Sequence, residues 1–465
     1  MHKTTPRVWH SLALWLALVP IEAEGEELVE CASSTTASDV VAGRDLRGLR
    51  VAITGGDTGL GLQTALALSG AGADVTIMPH DRARGEQALE LIRATTGRTP
   101  TLLLVDLLSA RSTRRAATAL LATSPRLDRL INNAAVVETT RPALTPSGLD
   151  GLLQINYVSP FLLTELLMPA LRRAHAGRVI DVSSGLHLFA CAFDAAPANC
   201  TSLTELARRA RFDRLAAGTA ASRPTVGGLP FNSSAYGVSK WLQVFHAAEL
   251  SAREAARGSA VRAVALEPGV VDTPLLAHVH PETVSRIFCG GALPPECPTT
   301  TDVGAATATA LAAASELPQR AEGGYFGHRH CTLEPSGRTS MIAAEGAEAT
   351  ARYQRELWAL SRTWAGLPDE RHEHHEIEQG AKRGAEHDAG QVEPTTGRSS
   401  SSSEPRDRRT DAMDAPHLTV LAAAAAVCAL LVHSRRRRAT SGRATSAHAA
   451  ILRGAHPAHP SLELR

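Results

Sequence analysis

The stretch 49-LRVAITGGDTGLGLQTALALSGAGA-73 decides the fold. Leu49 to Thr54 is a short β-rich apolar run, and it ends on glycines rather than on a polar turn. From Leu60 onward the apolar residues recur at helical spacing. Thr54 to Gly61, "TGGDTGLG", is therefore a glycine-rich turn that joins a strand directly to a helix. In such a turn Gly55 and Gly59 let the backbone bend sharply and approach a pyrophosphate, Gly61 allows close packing of the helix, and the helix N-terminus faces the phosphates. Glycines alone are weak evidence, because turns use them anyway. Their position between a strand and a helix gives the pattern its meaning.

Outward from this turn, residues 45–368 continue as short apolar runs separated by longer amphipathic ones. "DVTIM" (74–78) precedes a helical pattern over 83–96, and "TLLLVDL" (101–107) precedes another that ends near Thr123. "LDRLINNAA" (127–135) leads to a long helix from about Ser147 to Ala174. "GRVIDVSS" (177–184), a polar insertion, a helix around Tyr236 and "VRAVALEPG" (261–269) follow. Apolar strands without polar alternation, each followed by a helix, predict a parallel sheet covered on both faces. With right-handed crossovers this is a doubly wound, Rossmann-type α/β fold in a single domain over 45–368. Ligands in such folds sit at the carboxyl ends of the strands, where the glycine turn lies.

"SSAYGVSKWLQ" (233–243) places Tyr236 four residues before Lys240 at the head of a helix. Residues four apart share a helix face, so phenol and ammonium can enter one cavity. A nearby positive charge favours the phenolate and draws its pKa toward neutrality, giving a usable general acid or base. By itself the spacing is equally that of an ordinary surface helix.

The chain carries 48 basic and 47 acidic side chains, which leaves no charge surplus for nucleic acid. Its ends differ from its middle. Lys3 and Arg7 precede the apolar run Val8 to Val19, and residues 1–24 read as a signal peptide or signal anchor, with a buried N-terminal helix as the alternative. Residues 369–415 are polar and repetitive and read as a disordered linker. Within them His372, His374 and His375 are better explained as a solvated run than as metal ligands, and no Cys-x-x-Cys pattern argues for a metal site. Residues 416–434 contain the run Leu418 to Val432 and are a candidate transmembrane helix, short for a hydrocarbon core of ~30 Å. A basic tail, 435–465, follows. If that helix spans, Arg435 to Arg438 lie in the cytosol and the domain in a lumen, in the secretory pathway or endoplasmic reticulum. The sequons at Asn199 and Asn232 bear on that compartment only. Cys191 with Cys200, and Cys289 with Cys297, are close pairs whose spacing fits disulfides or plain thiols alike. A soluble plastid or cytosolic protein, with the Ala-rich run docked as an ordinary helix, is the alternative.

"TGGDTGLG", "NNAA", the asparagine of "QINYVSPF", "DVSSG", "YGVSK" and "PGVVDTP" occur in an order and spacing that resemble the short-chain dehydrogenase/reductases. "PHDRARGEQALELIRATTG", "SSGLH" and "ELWALSRTWAGL" are most similar to the retinol dehydrogenase and WW-domain oxidoreductase branch. The resemblance covers roughly Leu46 to Leu367. It implies a catalytic set of Tyr236, Lys240, Ser184 and Asn156. Tyr236 would exchange the proton with a carbonyl or alcohol. Lys240 would lower the phenol's pKa and hold the nicotinamide ribose, Ser184 would bond the reacting oxygen, and Asn156 would hold a water continuing the proton path. The resemblance also implies that Gly55, Gly59, Leu60, Gly61, His80, Asp106, Asn133, Gly269 and Thr273, with Tyr236 and Lys240, line the cofactor. An aspartate at a strand end such as Asp106 also caps helices.

Three departures from the pattern matter. Ala135 stands where the family has glycine. His80 stands where an arginine commonly meets the 2′-phosphate, and no acidic residue ends the second strand to hold a free ribose hydroxyl, so NADP is favoured over NAD. The gap from Ser184 to Tyr236 is long, and the insertion over 185–235 reads as a lid, a membrane-facing flap or a disordered loop. The expected activity is NAD(P)-dependent oxidation or reduction of a hydrophobic alcohol, aldehyde or ketone, retinoid- or lipid-like, by a membrane-tethered enzyme. A homodimer pairing through helices at 149–174 and 235–257 is a further expectation. The alternative is a dinucleotide-binding scaffold without turnover, opposed by the complete set of four catalytic residues.

Overall fold

The computed structural model describes residues 32–137, 145, 148–189, 233–276, 284, 297–317, 323–327, 333–334 and 347–368. The chain divides into two compact units, Met1–Glu386 and His387–Arg465, and every described residue lies in the first. Residues 1–24, 369–415, 416–434 and 435–465 lie outside the described residues, as do both sequons and residues 190–232 of the insertion. Among the described residues no helix is long and apolar enough to cross a membrane.

The sheet has eight strands in the order β3-β2-β1-β4-β5-β6-β7-β8. They are β1 (Arg50–Thr54), β2 (Asp74–Met78), β3 (Thr101–Leu102), β4 (Arg129–Asn132), β5 (Arg178–Val182), β6 (Arg262–Leu266), β7 (Tyr325–Phe326) and β8 (Leu333–Glu334). All neighbours pair in parallel except β7 and β8, which are antiparallel. The six strands expected from sequence are all present. β3 is shorter than its apolar run, although Leu103 and Val105 still donate to Ile77 and Pro79 at 3.0 and 2.9 Å. The antiparallel edge was not anticipated, because two-residue strands carry no periodic signal.

Helices α1 (Ala37–Val41), α2 (Gly59–Gly70), α3 (Arg82–Thr96), α8 (Thr301–Gly304) and α9 (Ala306–Ala313) belong to one face. Helices α4 (Ala110–Thr123), α6 (Ser159–Leu171), α7 (Ser233–Ala256) and α10 (Ala347–Trp364) belong to the other. The strands divide between these two layers residue by residue. Val51, Ile53, Ile180, Val182, Val264 and Leu266 pack into the first core, and Ala52, Val179, Ala263 and Ala265 into the second. This is the two-residue alternation of a pleated strand, and both faces are apolar because both are covered. Local signals fix the helix ends. Asp81 caps α3 by accepting from the Arg84 amide at 2.9 Å, and α3 closes on Gly97 in the left-handed conformation.

The long helix predicted over 147–174 is interrupted. It opens as α5 (Gly151–Leu153), widens into a π-helical turn over Gln154–Val158, and continues as α6. Such turns concentrate at functional sites, since one extra residue re-aims a side chain. Asn156 lies in this one, fully buried.

At the amino ends of β4 and β5, far from the glycine turn along the strands, Arg129 and Arg178 cap the C-terminus of α9. Arg129 donates to Ala312 and Ala314 carbonyls at 2.8 Å each, and Arg178 donates to Leu311 and Ala314. Cations belong at this negative end of a helix. Burial holds their guanidinium groups down, to about 10 and about 9, and in Arg178 the neighbouring Arg129 charge adds to the effect.

Helix α10 lies over α6 and α7. Trp358 packs on Phe161 (centroids 4.9 Å apart) and stacks on His246 (6.0 Å), and the Arg253 guanidinium lies 4.5 Å from its ring. Tyr157 shares a 2.7 Å hydrogen bond with Ser361, and Arg362 pairs with Glu165 at 2.7 Å. Parts of the helix faces expected to form a dimer are thus covered by α10 of the same chain.

Candidate active site

The glycine turn crosses from β1 into α2 at the carboxyl edge of the sheet. Gly55 and Gly59 have φ of 63° and 53°, values at which a Cβ is strained. Gly61 is required for a different reason: a Cβ there would sit 2.3 Å from the Gly55 carbonyl oxygen and 2.5 Å from Asn133 Nδ2. Thr58 precedes the helix without making a side-chain cap, so the first-turn amides donate no hydrogen bond to that side chain. Leu60 is partly buried against the α2 side of the core.

Asn133 holds this turn in place. Its Nδ2 donates to the carbonyls of Thr54 at 2.9 Å and Gly55 at 3.2 Å, and its amide donates to Thr54 Oγ1 at 3.0 Å. On the far side Thr273 stands 3.6 Å from where a Cβ on Gly59 would lie, and Gly269 turns the chain there with φ of 78°. Asp106 forms a local turn, its Oδ1 accepting from the Leu108 amide at 3.0 Å, while Ser109 is the cap of α4.

At the end of β2, His80 is exposed and does not stand alone. The Arg84 guanidinium lies 3.0 and 3.1 Å from its ring nitrogens, and Arg84 Nε is 3.7 Å from the carboxylate of Asp57 inside the glycine turn. The sequence reading singled out His80 and missed this pairing, because Asp57 and Arg84 are distant in the chain. Position 84 follows the Asp81 cap by three residues, which was the only local hint.

The catalytic candidates converge at the ends of β4 and β5. Tyr236 is 5% exposed, Lys240 1% and Asn156 0%, so the set is enclosed. Ser184, half-buried just past β5, hydrogen-bonds the Tyr236 phenol. Lys240 Nζ lies 5.5 Å from the Tyr236 ring centroid. It donates to the Val182 carbonyl at 2.8 Å and to Gln243 Oε1 at 3.3 Å. The Asn156 side chain bridges loop and helix: Oδ1 accepts from the Val136 amide at 2.8 Å, and Nδ2 donates to the Val136 carbonyl at 2.9 Å and to Ser239 Oγ at 3.1 Å. The main-chain carbonyl of Asn156 accepts from Gln243 Nε2 at 2.9 Å.

The electrostatics differ from the expectation that Lys240 pulls the phenol toward neutrality. Burial pushes the Tyr236 phenol above its ordinary value, and the Ser184 hydrogen bond offsets this only in part. Burial likewise lowers the Lys240 ammonium to about 7, against the charge of Asp181, which raises it. Loss of hydration acts on both groups and disfavours both charged forms. Asp181 is itself buried, accepting from Asn132 Nδ2 at 2.8 Å and pairing with His246 Nδ1 at 2.7 Å. His187, also buried, has its Nδ1 2.8 Å from the Ser184 carbonyl oxygen, and burial pushes its pKa down.

Ser183, Ser239 and Gln243 were not singled out from sequence, yet they fix the set. Ser183 Oγ donates to the Lys240 carbonyl and Ser239 Oγ to the Tyr236 carbonyl, each at 2.7 Å. The chain contains three lysines, Lys3, Lys240 and Lys382, so Lys240 is the only one in the described domain. Every other fixed cation there is arginine, and a lone lysine marks a place where an amine able to lose its proton is wanted.

An apolar cluster of Val137, Leu152, Tyr236 and Val284, with Leu186 and Leu276 packed against it, surrounds the phenol. Cys297 packs against the same cluster and is disulfide-bonded. Cys289, paired with it in one reading of the sequence, lies outside the described residues. No cluster of potential metal ligands occurs among the described residues.

The short chain dehydrogenase family profile matches residues 50–196. The chain is 36% identical over 236 residues to dehydrogenase/reductase SDR family member 13 of Bos taurus, a match covering 50% of this chain and 55% of the relative. It is 30% identical over 337 residues to the WW domain-containing oxidoreductase of Homo sapiens, covering 70% of each. It is 31% identical over 327 residues to retinol dehydrogenase 13 of Homo sapiens, covering 69% of this chain and 85% of that one. The chain thus spans about half the length of the bovine relative.

Proposed function

Because the chain belongs to the short-chain dehydrogenase family, we propose that it is an oxidoreductase that uses a nicotinamide dinucleotide as hydride donor or acceptor toward a hydrophobic alcohol, aldehyde or ketone. The observation that carries this reading is the enclosure of Tyr236, Lys240 and Asn156 beside Ser184, next to a glycine turn with no room for a Cβ at Gly61. The residues fit a dinucleotide. The turn brings bare backbone and uncapped helix amides to one place, which suits a pyrophosphate. Gly55, Gly59, Leu60, Gly61, Asn133, Gly269 and Thr273 border it, and Lys240 keeps an N–H beyond its two protein acceptors for the ribose hydroxyls.

In the reducing direction Tyr236 gives its phenolic proton to the carbonyl oxygen, and Ser184 steadies that oxygen by hydrogen bonding. A phenol held protonated by burial is suited to this role. In the oxidising direction the same oxygen accepts the alcohol proton, with Lys240 close enough to favour the phenolate when charged. The chain positions and protonates; hydride chemistry belongs to the dinucleotide.

The apolar cluster around the phenol supports a hydrophobic substrate, and retinoid- or lipid-like alcohols and aldehydes are its preferred class. The Arg84 and His80 pair at the end of β2 supports NADP over NAD, because a guanidinium suits a 2′-phosphate. Tethering through residues 416–434, with a lumenal domain, remains part of the proposal on sequence grounds.

The test is nicotinamide absorbance with the purified full chain, NADPH or NADH, and a panel containing retinal, decanal and hydrophobic ketones, beside Tyr236→Phe. Turnover that the substitution abolishes while nucleotide affinity persists supports the proposal. Failure of the folded wild type to bind either nucleotide defeats it. Binding without turnover on every substrate favours the scaffold reading.

A further inference from the structure

Gln243 lies one turn beyond Lys240 on α7, 2% exposed, and its carboxamide uses both ends. Oε1 accepts from Lys240 Nζ at 3.3 Å, and Nε2 donates to the main-chain carbonyl of Asn156 at 2.9 Å. That carbonyl lies in the π-helical turn Gln154–Val158. We infer that Gln243 is a positioning residue for the proposed dehydrogenase site: its carboxamide ties the Lys240 ammonium to the Asn156 carbonyl and sets how readily Lys240 holds its proton. The inference rests on the functional reading above only for its catalytic meaning; the link itself concerns the protein alone.

An amide is suited to this place by what it cannot do. Its oxygen accepts and its nitrogen donates, with no proton to exchange at neutral pH, so it holds an orientation and does not relay. The Lys240 proton therefore has no carrier toward Asn156 through Gln243. The other titratable groups about Lys240 are Tyr236 and His246 on its own helix and Asp181 on β5, which is engaged by His246 and Asn132. Gln243, like the Val182 carbonyl, is a neutral acceptor beside them, and its oxygen stabilises the ammonium without adding a charge.

With three lysines in the chain, the side-chain titration of Lys240 can be followed directly in the full-length protein labelled with 15N-lysine, its signal assigned by loss in Lys240→Arg. Gln243→Leu removes the acceptor and is expected to move the Lys240 titration down by about one pH unit; Gln243→Glu puts a carboxylate there and is expected to move it up by at least that much. Gln243→Asn should recover part of the wild-type value if the shorter amide reaches. These shifts are read without substrate or nucleotide, so they stand apart from failure of the dehydrogenase reading, which wild-type NADPH binding tests. In active protein the acidic or basic limb of kcat/KM should move with the amine while KM changes little. Unchanged Lys240 titration in folded Gln243→Glu and Gln243→Leu overturns the inference and makes Gln243 a packing residue. Should Gln243→Leu fail to fold, Gln243→Glu decides.

Discussion

Gly61→Ala is the substitution in which the geometry makes its sharpest demand. The added methyl would meet the Gly55 carbonyl oxygen at 2.3 Å, about 1 Å inside an ordinary carbon–oxygen contact. The obstacle is backbone, so no rotamer change relieves it. The same oxygen accepts from Asn133 Nδ2 at 3.2 Å, and Asn133 Nδ2 would itself lie 2.5 Å from the new methyl. The turn must therefore move by about an ångström and lose its tie to β4. Overpacking of this kind costs about 1–3 kcal/mol of stability, and a displacement of that size in a positioning element costs about 100-fold in function. NADPH titration followed by fluorescence, with thermal unfolding by circular dichroism, reads both quantities. Gly97→Ala serves as the control: its φ is 72°, yet nothing lies within 4 Å of the added methyl. It should cost about 1–2 kcal/mol through left-handed strain alone and leave NADPH affinity intact. If folded Gly61→Ala binds NADPH within about twofold of wild type, the close-approach argument is refuted.

Lys240→Met should abolish turnover yet stabilise the fold at low pH. The Lys240 ammonium is held at about 7 against an ordinary 10.5, so the unfolded chain binds the extra proton between those values and wild-type stability rises with pH across that window. Chemical denaturation at pH 6 and pH 10 should show the Met variant more stable than wild type at the lower pH, with the gap narrowing at the higher. Trp358→Ala removes a buried ring packed on Phe161, His246 and Arg253 and should cost about 3–5 kcal/mol in denaturant unfolding, with NADPH affinity little changed. Arg84→Ala removes the guanidinium between His80 and Asp57; NADPH affinity should fall by about 10-fold or more while NADH affinity does not fall, as calorimetry of both nucleotides would reveal.

Much of the site was legible because its signals are local. The turn from β1 to α2 needs positive φ at Gly55 and Gly59 and an absent side chain at Gly61, and all three demands are written within seven residues. Tyr236 and Lys240 share a helix, so their spacing places them together before any tertiary contact is known. The apolar runs that became β1, β2, β4, β5 and β6 are buried on both faces and carry a strong pattern. β7 and β8 carry none, since two-residue strands exist only through pairing, as between Ala265 and Tyr325.

Local pattern along the chain specifies the doubly wound α/β fold, the glycine turn, and the shared helix face of Tyr236 and Lys240; Ser184 and Asn156 are identified through the family resemblance. Tertiary structure alone decided that Arg84 joins His80 and Asp57, that Gln243 bridges Lys240 to Asn156, that α10 covers α6 and α7, and that Asp181 pairs with His246 beneath the site. It also decided the direction of the Tyr236 and Lys240 pKa shifts. Spacing reports which residues share a turn of helix or an end of a strand. Burial, and the hydrogen bonds that burial makes obligatory, depend on segments far apart in the chain that meet only when the sheet and its two helical layers have closed.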